Sequence, residues 1–353
     1  NISPKNNNPS FFSGLLAGSV GWGDACIIVP YEMYRRYGDA RILSENYEMM
    51  KKWYVFLEER AKKRPVNPVK RFKRNPYRRY TIETGVDYGE WCEPDVESTS
   101  AMRTPQGKVA TAFFAYSGRM LAEIAAILGK EDDAAYYSKT AEMAKKAWRF
   151  IATEDGKISS DRQADYVRAL AFGLLDGDEA RQAAADLNEL VKKCGYHLNT
   201  GFLSTPNLTR VLCDYGYEDT AYKLLLQDTR PGWLYEVKKG ATTIWETWDG
   251  INEKGEVKAS LNHYSYGAIC GWILDAVCGI QVSDGKIRIC PHPDKVLGYA
   301  KASYQSPYGR IESGWKYDGD KVTYEFEIPS NTHAEVILPD GRREVLDSGR
   351  YSL

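Results

Sequence analysis

Up to about residue 278 the apolar positions return with helical spacing, and beyond Gly279 they alternate. From Met49, the set Met49, Met50, Trp53, Phe56 and Leu57 follows the i, i+3, i+4, i+7 rule. Val109, Ala112, Phe113, Tyr116, Met120, Ile124, Ile127 and Leu128 keep one face apolar and stop at Gly129, a helix C-terminal signal. Ala134, Tyr137, Ala141, Ala144 and Trp148 then form the next face after Glu131-Asp132-Asp133. Two helices joined by so short a turn must lie antiparallel. The pattern recurs around Asp176-Gly177-Asp178 and around Asp214-Tyr215-Gly216-Tyr217, and about nine helices are predicted, near 25–37, 43–64, 108–128, 131–150, 161–175, 178–194, 206–214, 217–227 and 262–278. Hairpins in series without a fixed repeat period predict a closed helical barrel over a solenoid.

Past Gly279, Ile287/Ile289, Ile311/Ser313/Trp315/Tyr317 and Val322/Tyr324/Phe326/Ile328 alternate with polar residues, and Asp318-Gly319 and Asp340-Gly341 mark hairpin turns. A small antiparallel β-sandwich is expected there. The chain therefore divides into a mainly α domain, 1–279, and a β-sandwich domain, 280–353. Residues 65–106 and 228–261 lack helical period but are rich in Trp, Tyr, Gly and carboxylates, which marks them as functional loops.

Composition narrows the function classes. A formal charge of −1 supplies no field to attract nucleic acid or an anionic membrane, and no stretch has the length of a membrane span. No signal peptide is visible at Asn1-Ile2-Ser3-Pro4-Lys5, which leaves bacterial cytoplasm and periplasm both open. Seven Cys without a C-x-x-C pair or a Cys/His cluster argue against a disulfide framework and a metal site. Twelve per cent aromatics, with 25 Tyr and 9 Trp, suit stacking on sugar faces as well as core packing.

Nucleophile-elbow, dinucleotide, P-loop and H-E-x-x-H patterns are missing, and what remains is carboxylates among aromatics. Glycoside hydrolysis needs such a set: one carboxyl to protonate the leaving oxygen and a second to activate water or attack directly. Three clusters fit: Gly21-Trp22-Gly23-Asp24-Ala25; Asp87-Tyr88-Gly89-Glu90-Trp91-Cys92-Glu93-Pro94-Asp95; and Ala241-Thr242-Thr243-Ile244-Trp245-Glu246-Thr247-Trp248-Asp249. Asp24 also reads as a helix N-cap, and some acids of the second cluster as solvated loop charges. Glu246, between two Trp, must be paired or functional.

At these clusters the chain resembles the α-L-rhamnosidases of glycoside hydrolase family 78. Gly21-Trp22-Gly23-Asp24-Ala25 resembles their GW-GDA segment, Gly89-Glu90-Trp91 their G-D-W, and Gly240-Ala241-Thr242-Thr243-Ile244-Trp245-Glu246 their G-A-T-T-x-W-E. Asn262-His263-Tyr264-Ser265-Tyr266-Gly267-Ala268 is similar to N-H-Y-x-Y-G-A, and Pro291-His292-Pro293 to the R-P-x-P entry into the C-terminal domain. The resemblance implies an (α/α)6 six-hairpin toroid, incomplete at its N-terminus since about nine helices stand where twelve belong. It also implies release of terminal α-L-rhamnose with inversion and no cofactor or metal. By position, Glu246 would be the general base and Asp24 an acidic residue of the sugar pocket. Asp24 is also the candidate general acid, with Glu90 or Glu93 as the alternative acid, or Glu90 as a sugar contact. Trp22, Asp87, Trp91, Trp245, Trp248 and His263 would bind substrate, a rhamnose-containing glycoside or pectic oligosaccharide.

Many relatives carry their general acid in a D-C-P-x-R-E stretch before GW, whereas residues 6–16 here hold no carboxylate. Two alternatives follow: another six-hairpin glycosidase acting on glucosides or unsaturated uronides, or a carbohydrate-binding protein without turnover. The basic run from Arg60 through Arg71 and Arg74 to Arg79 reads as a solvated loop or as a subsite for uronic acids. Glu131-Asp132-Asp133 reads as a helix N-terminus favoured by the dipole.

Overall fold

The structure, a computed structural model, describes residues 18–64, 75–94, 96 and 107–353. The stretch 6–16, Arg71 and Arg74 of the basic run, and Asp95 lie outside the described residues. The helices follow one another as hairpins: α1 (Ala25–Tyr37) with α2 (Arg41–Lys62), α3 (Gly107–Ile127) with α4 (Glu131–Ala152), α5 (Gln163–Ala171) with α6 (Gly177–Lys193), and α7 (Thr205–Asp214) with α8 (Glu218–Leu225). A two-stranded hairpin, β1 (Thr153–Glu154) and β2 (Lys157–Ile158), connects α4 to α5.

Local signals explain the joints. α3 ends at Gly129, φ +68°, where Gly129 N–H reaches Ala126 O at 3.0 Å and Lys130 N–H reaches Ala125 O at 2.8 Å. This pair of bonds satisfies the last carbonyls and reverses the chain. α2 buries Leu43, Tyr47, Met50, Tyr54 and Leu57 at helical spacing. α3 is buried on nearly every side and so runs through the core, as a helix apolar all round should.

Two short helical segments follow: α9 (Trp233–Lys238), inside a stretch that reads as aperiodic, and α10 (Ile269–Trp272), flanked by a 3-10 turn at Ser265–Ala268 and a wider π turn at Ile273–Val277. The change to strands comes at Gly279 and Ile280. Strands β3 (Ile280–Ser283), β4 (Lys286–Ile289), β5 (Tyr299–Ser306), β6 (Gly309–Asp318), β7 (Lys321–Ile337) and β8 (Arg343–Ser352) form one hydrogen-bonded sheet, ordered β3-β4-β7-β6-β5 with β8 also on β7.

The pairing differs from a purely antiparallel arrangement in one place, since β4 runs parallel to β7. The cause is the length of β7, whose pairing to β8 shifts register between Ile328 and His333. Its first half pairs with β6 and its second half with β4. The sheet is fastened to the end of the π turn that follows α10 by Trp315 Nε1 on Val277 O at 2.7 Å and Ser313 Oγ on Cys278 O at 2.5 Å.

Candidate active site

The turn before α1 is built around Asp24. Its carboxylate accepts from Gly21 N at 2.7 Å, Trp53 Nε1 at 3.0 Å and Ser117 Oγ at 2.5 Å, and the residue is 0% exposed. Asp24 occupies the N-cap position in helical backbone without making a cap bond. Burial pushes its carboxyl above the usual range, opposed by these donors. Gly23 is required here, since a Cβ would stand 2.0 Å from the Trp53 ring. The turn presents Trp22, half-buried, whose ring meets Tyr88 at a centroid distance of 4.6 Å, and Tyr88 in turn stands edge-on to Trp91 at 5.2 Å.

The described acids of the second cluster are all buried, and each has its own arginine. Asp87 takes both terminal nitrogens of Arg60, at 3.0 and 2.9 Å, and accepts from Val20 N at 2.8 Å. Glu90 is bound by Arg168 Nη1, by Gly201 N at 3.0 Å, and by the amide and hydroxyl of Ser204 at 2.8 and 2.9 Å. Arg162 Nη2 holds Glu93 at 2.5 Å. Pairing with planar guanidinium forks is what lets three carboxylates enter the interior. None of these three is a solvated loop charge, and the fourth acid of the cluster, Asp95, lies outside the described residues.

Two further segments meet this loop. Gly201 approaches so closely that a Cβ would lie 2.2 Å from Trp91 O, and Phe202 N donates to that same carbonyl at 2.9 Å. The Phe202 ring stacks on His263 with centroids 5.0 Å apart, and His263 N donates to Ile244 O at 2.8 Å. Glu246 follows two residues later, its amide bonded to Ser260 O at 2.9 Å and its Oε2 accepting from Ser260 N at 3.3 Å. Loops 18–24, 87–94, 200–204, 244–248 and 260–266 therefore converge through a continuous series of contacts.

Within this region the sequence candidates separate into two groups. Glu246, His263, Trp22 and Trp91 are half-buried and keep surface open to solvent. Asp24, Asp87 and Glu90 are sealed, and so are Trp245 and Trp248, at 1% and 2% exposure. Trp248 stacks on Tyr266 at 3.9 Å and meets Trp233 edge-on at 5.4 Å, which makes it part of the wall behind Glu246. Sequence reasoning missed Phe202, Tyr88 and Glu236. Gly201 was the available signal for the first and the place of Tyr88 inside the second aromatic cluster for the second; Glu236 carries none that a single chain displays. Glu236, 2% exposed, has one oxygen on Trp245 N at 3.2 Å and the other without a hydrogen-bond partner, and burial pushes its carboxyl up to about 7. Among the described residues no group of three His, Cys, Asp or Glu side chains is placed to hold a metal ion, and no helix is long and apolar enough to cross a membrane.

Residues 3–277 match the bacterial alpha-L-rhamnosidase 6 hairpin glycosidase domain, and residues 285–352 match the bacterial alpha-L-rhamnosidase C-terminal domain. An alpha-L-rhamnosidase of Formosa agariphila is 35% identical over 338 residues, covering 93% of this chain and 35% of the relative. The crystal structure of the Streptomyces avermitilis alpha-L-rhamnosidase complexed with L-rhamnose superposes with a TM-score of 0.81 at 31% identity, over 95% of this chain and 33% of that one. The native enzyme of Aspergillus terreus gives 0.81 at 28% identity, over 94% and 38%. The chain thus spans about a third of the length of the relatives it matches.

Proposed function

Because this chain belongs to the bacterial α-L-rhamnosidase six-hairpin glycosidase family, we propose that the protein hydrolyses terminal α-L-rhamnosides with inversion, using Glu246 as the general base. Residues 1–279 would supply the helical catalytic part and 280–353 the sheet domain that braces it. Support comes from one contrast: of the carboxylates the sequence nominates, Glu246 alone among Asp24, Asp87, Glu90 and itself keeps an open face beside aromatic rings. A water held by its carboxylate would be activated as the glycosidic bond breaks. Trp22 and Trp91 would border the sugar, and His263, oriented by Phe202, would donate to a hydroxyl.

Asp24 and Glu90 suit a different task from the one their motifs propose. Both are sealed from solvent with their oxygens taken by protein donors, whereas a general acid must carry a proton to an external oxygen. We assign them to holding Trp22 and Trp91 in place, and assign the proton donor to neither. That same sealing favours a second reading, carbohydrate binding without turnover.

The test is release of p-nitrophenol from its α-L-rhamnoside by the full-length protein, wild type against Glu246→Gln, with proton NMR of the first sugar anomer formed. Turnover that yields the β anomer first and falls by about 10³-fold or more in the mutant is expected. Wild-type protein that quenches its tryptophan emission with L-rhamnose but releases no nitrophenol would establish the binding reading instead.

A further inference from the structure

Glu236 is anchored to both ends of the loop that delivers Glu246. α9 closes with Ala241 N on the Glu236 carbonyl at 3.0 Å, after Gly240 at φ +83°. Four residues later Trp245 N donates to the Glu236 carboxylate Oε2 at 3.2 Å. Segment 241–245 therefore begins and ends on one residue, and the next residue is Glu246. The helix behind it is fixed in turn, because Trp233 Nε1 donates to Tyr266 O at 3.0 Å and the Trp233 ring braces Trp248.

Among the described residues no cation neutralises this carboxylate. On its own helix Lys238 pairs with Asp228, and Lys239 lies over the Tyr235 ring at 5.6 Å. Arg230 is engaged with Asp249 at 3.7 Å. The facing Tyr266 phenol is raised by burial and stays neutral, and it donates to Cys92 O at 2.5 Å. Glu246 is the remaining acid on the facing segment. Oε1 of Glu236 is buried with no partner, as are Thr247 Oγ1 and Trp248 Nε1, which follow Glu246 in sequence. A structural clamp alone has no need of such an arrangement, since a glutamine would accept the same amide without stranding a charge.

We propose that Glu236 is a positioning residue for Glu246: its ionised carboxylate clamps the Trp245 amide and so fixes the direction of the following side chain, and protonation loosens that clamp. An ionised acceptor forms roughly twice as strong a hydrogen bond as a neutral one, so the two states hold the loop differently. This rests on the reading of Glu246 as the base.

The variant is Glu236→Gln in the full-length protein, which keeps shape and an acceptor oxygen but does not titrate. Two quantities are followed from about pH 5 to 9: kcat and KM on p-nitrophenyl α-L-rhamnoside, and tryptophan emission. The wild type is expected to lose kcat as pH falls through about 7. The variant should lack that limb, with kcat at high pH about three- to tenfold lower and KM changed less than about twofold. A variant that keeps the wild-type limb and kcat, or changes KM alone, overturns the proposal. If the wild type releases no nitrophenol, the rhamnosidase reading fails by itself and emission decides this one. A step near neutrality present in wild type and absent in the variant supports the clamp, and identical titrations overturn it.

Discussion

Removing Arg168 should destabilise the protein through the charges it leaves behind more than through the bonds it takes away. Arg168 is 2% exposed, its Nη1 bound to Glu90 and, at 3.0 Å, to Ser204 Oγ, while Nη2 bonds Asp165 at 2.6 Å. Arg168→Met keeps much of the volume and strands two carboxylates. Asp165 retains Ser160 Oγ at 2.7 Å, and Glu90 retains the amides of Gly201 and Ser204. Taking one partner from a buried pair costs about 3 to 5 kcal/mol. At roughly 2 °C per kcal/mol for a domain of this size, the first thermal transition should fall by about 6 to 10 °C. The decisive comparison is the double variant Arg168→Met/Glu90→Gln. Neutralising Glu90 removes one stranded charge while its two amide donors still find a carbonyl oxygen, so the double variant should recover about 1 to 2 kcal/mol over Arg168→Met. Thermal unfolding followed by circular dichroism reads all four proteins of the cycle. A double variant no more stable than Arg168→Met would refute the reasoning, because the penalty would then lie in packing and not in the uncompensated carboxylate.

Three further outcomes follow from the same geometry. Gly201→Ala places a methyl 2.2 Å from Trp91 O and 2.8 Å from Glu90 O, neither able to retreat, so it should cost about 3 kcal/mol or more and weaken L-rhamnose binding measured by calorimetry. Trp22→Ala removes a half-buried ring that rests on Tyr88 at 4.6 Å, and kcat/KM on the aryl rhamnoside should fall by about 10-fold or more while the thermal transition moves by only a few degrees. Glu236 should make stability fall as pH rises. Its folded carboxyl is raised from 4.5 to about 7, so the folded state binds the extra proton between those values and loses that advantage above about 7. Glu236→Gln should therefore be more stable than wild type at high pH, by about 1 to 3 kcal/mol, and close to it at low pH in urea melts.

The helical hairpins were legible because helices such as α2 bury one side and because helix ends are marked. Leu43, Tyr47, Met50, Tyr54 and Leu57 lie where a 3.6-residue period puts them, and Gly129 stops α3 as its sequence position implies. α9 escaped because six residues make less than two turns, too short for a period to show. The parallel β4–β7 pair escaped for another reason. Alternation reports which face a strand buries, not which neighbour it takes or in which direction.

The site was legible in its motifs and illegible in its partners. Nothing local announces that Glu90 meets Arg168, 78 residues on, or Ser204, 114 residues on. Some acids of a polar-looking loop read as solvated charge, and only the fold supplies the three arginines that carry Asp87, Glu90 and Glu93 inside. For the same reason Asp24 reads as a cap or an acid, while its true neighbours, Trp53 and Ser117, come from helices α2 and α3. Glu236 was passed over because its tripeptide surroundings are ordinary. Its distinction is an orphaned oxygen in a dry place, a property of packing that no motif encodes.

These placements divide the work among chemically similar groups. A carboxylate given three or four donors and closed off from solvent has its lone pairs taken by the protein, which suits Asp24, Asp87 and Glu90 to fixing the turns that bear Trp22 and Trp91. A carboxylate given one donor and no cation is sensitive to pH, which describes Glu236. Glu246 combines a weak contact from Ser260 N with an open face, leaving lone pairs for a water. On the proposed function, the rim of the sugar site would need its aromatics immobile and its base free to meet water. Here donors are plentiful under the aromatics and scarce around Glu246, so the distribution of hydrogen bonds, more than the identity of the acids, is what separates scaffold from chemistry.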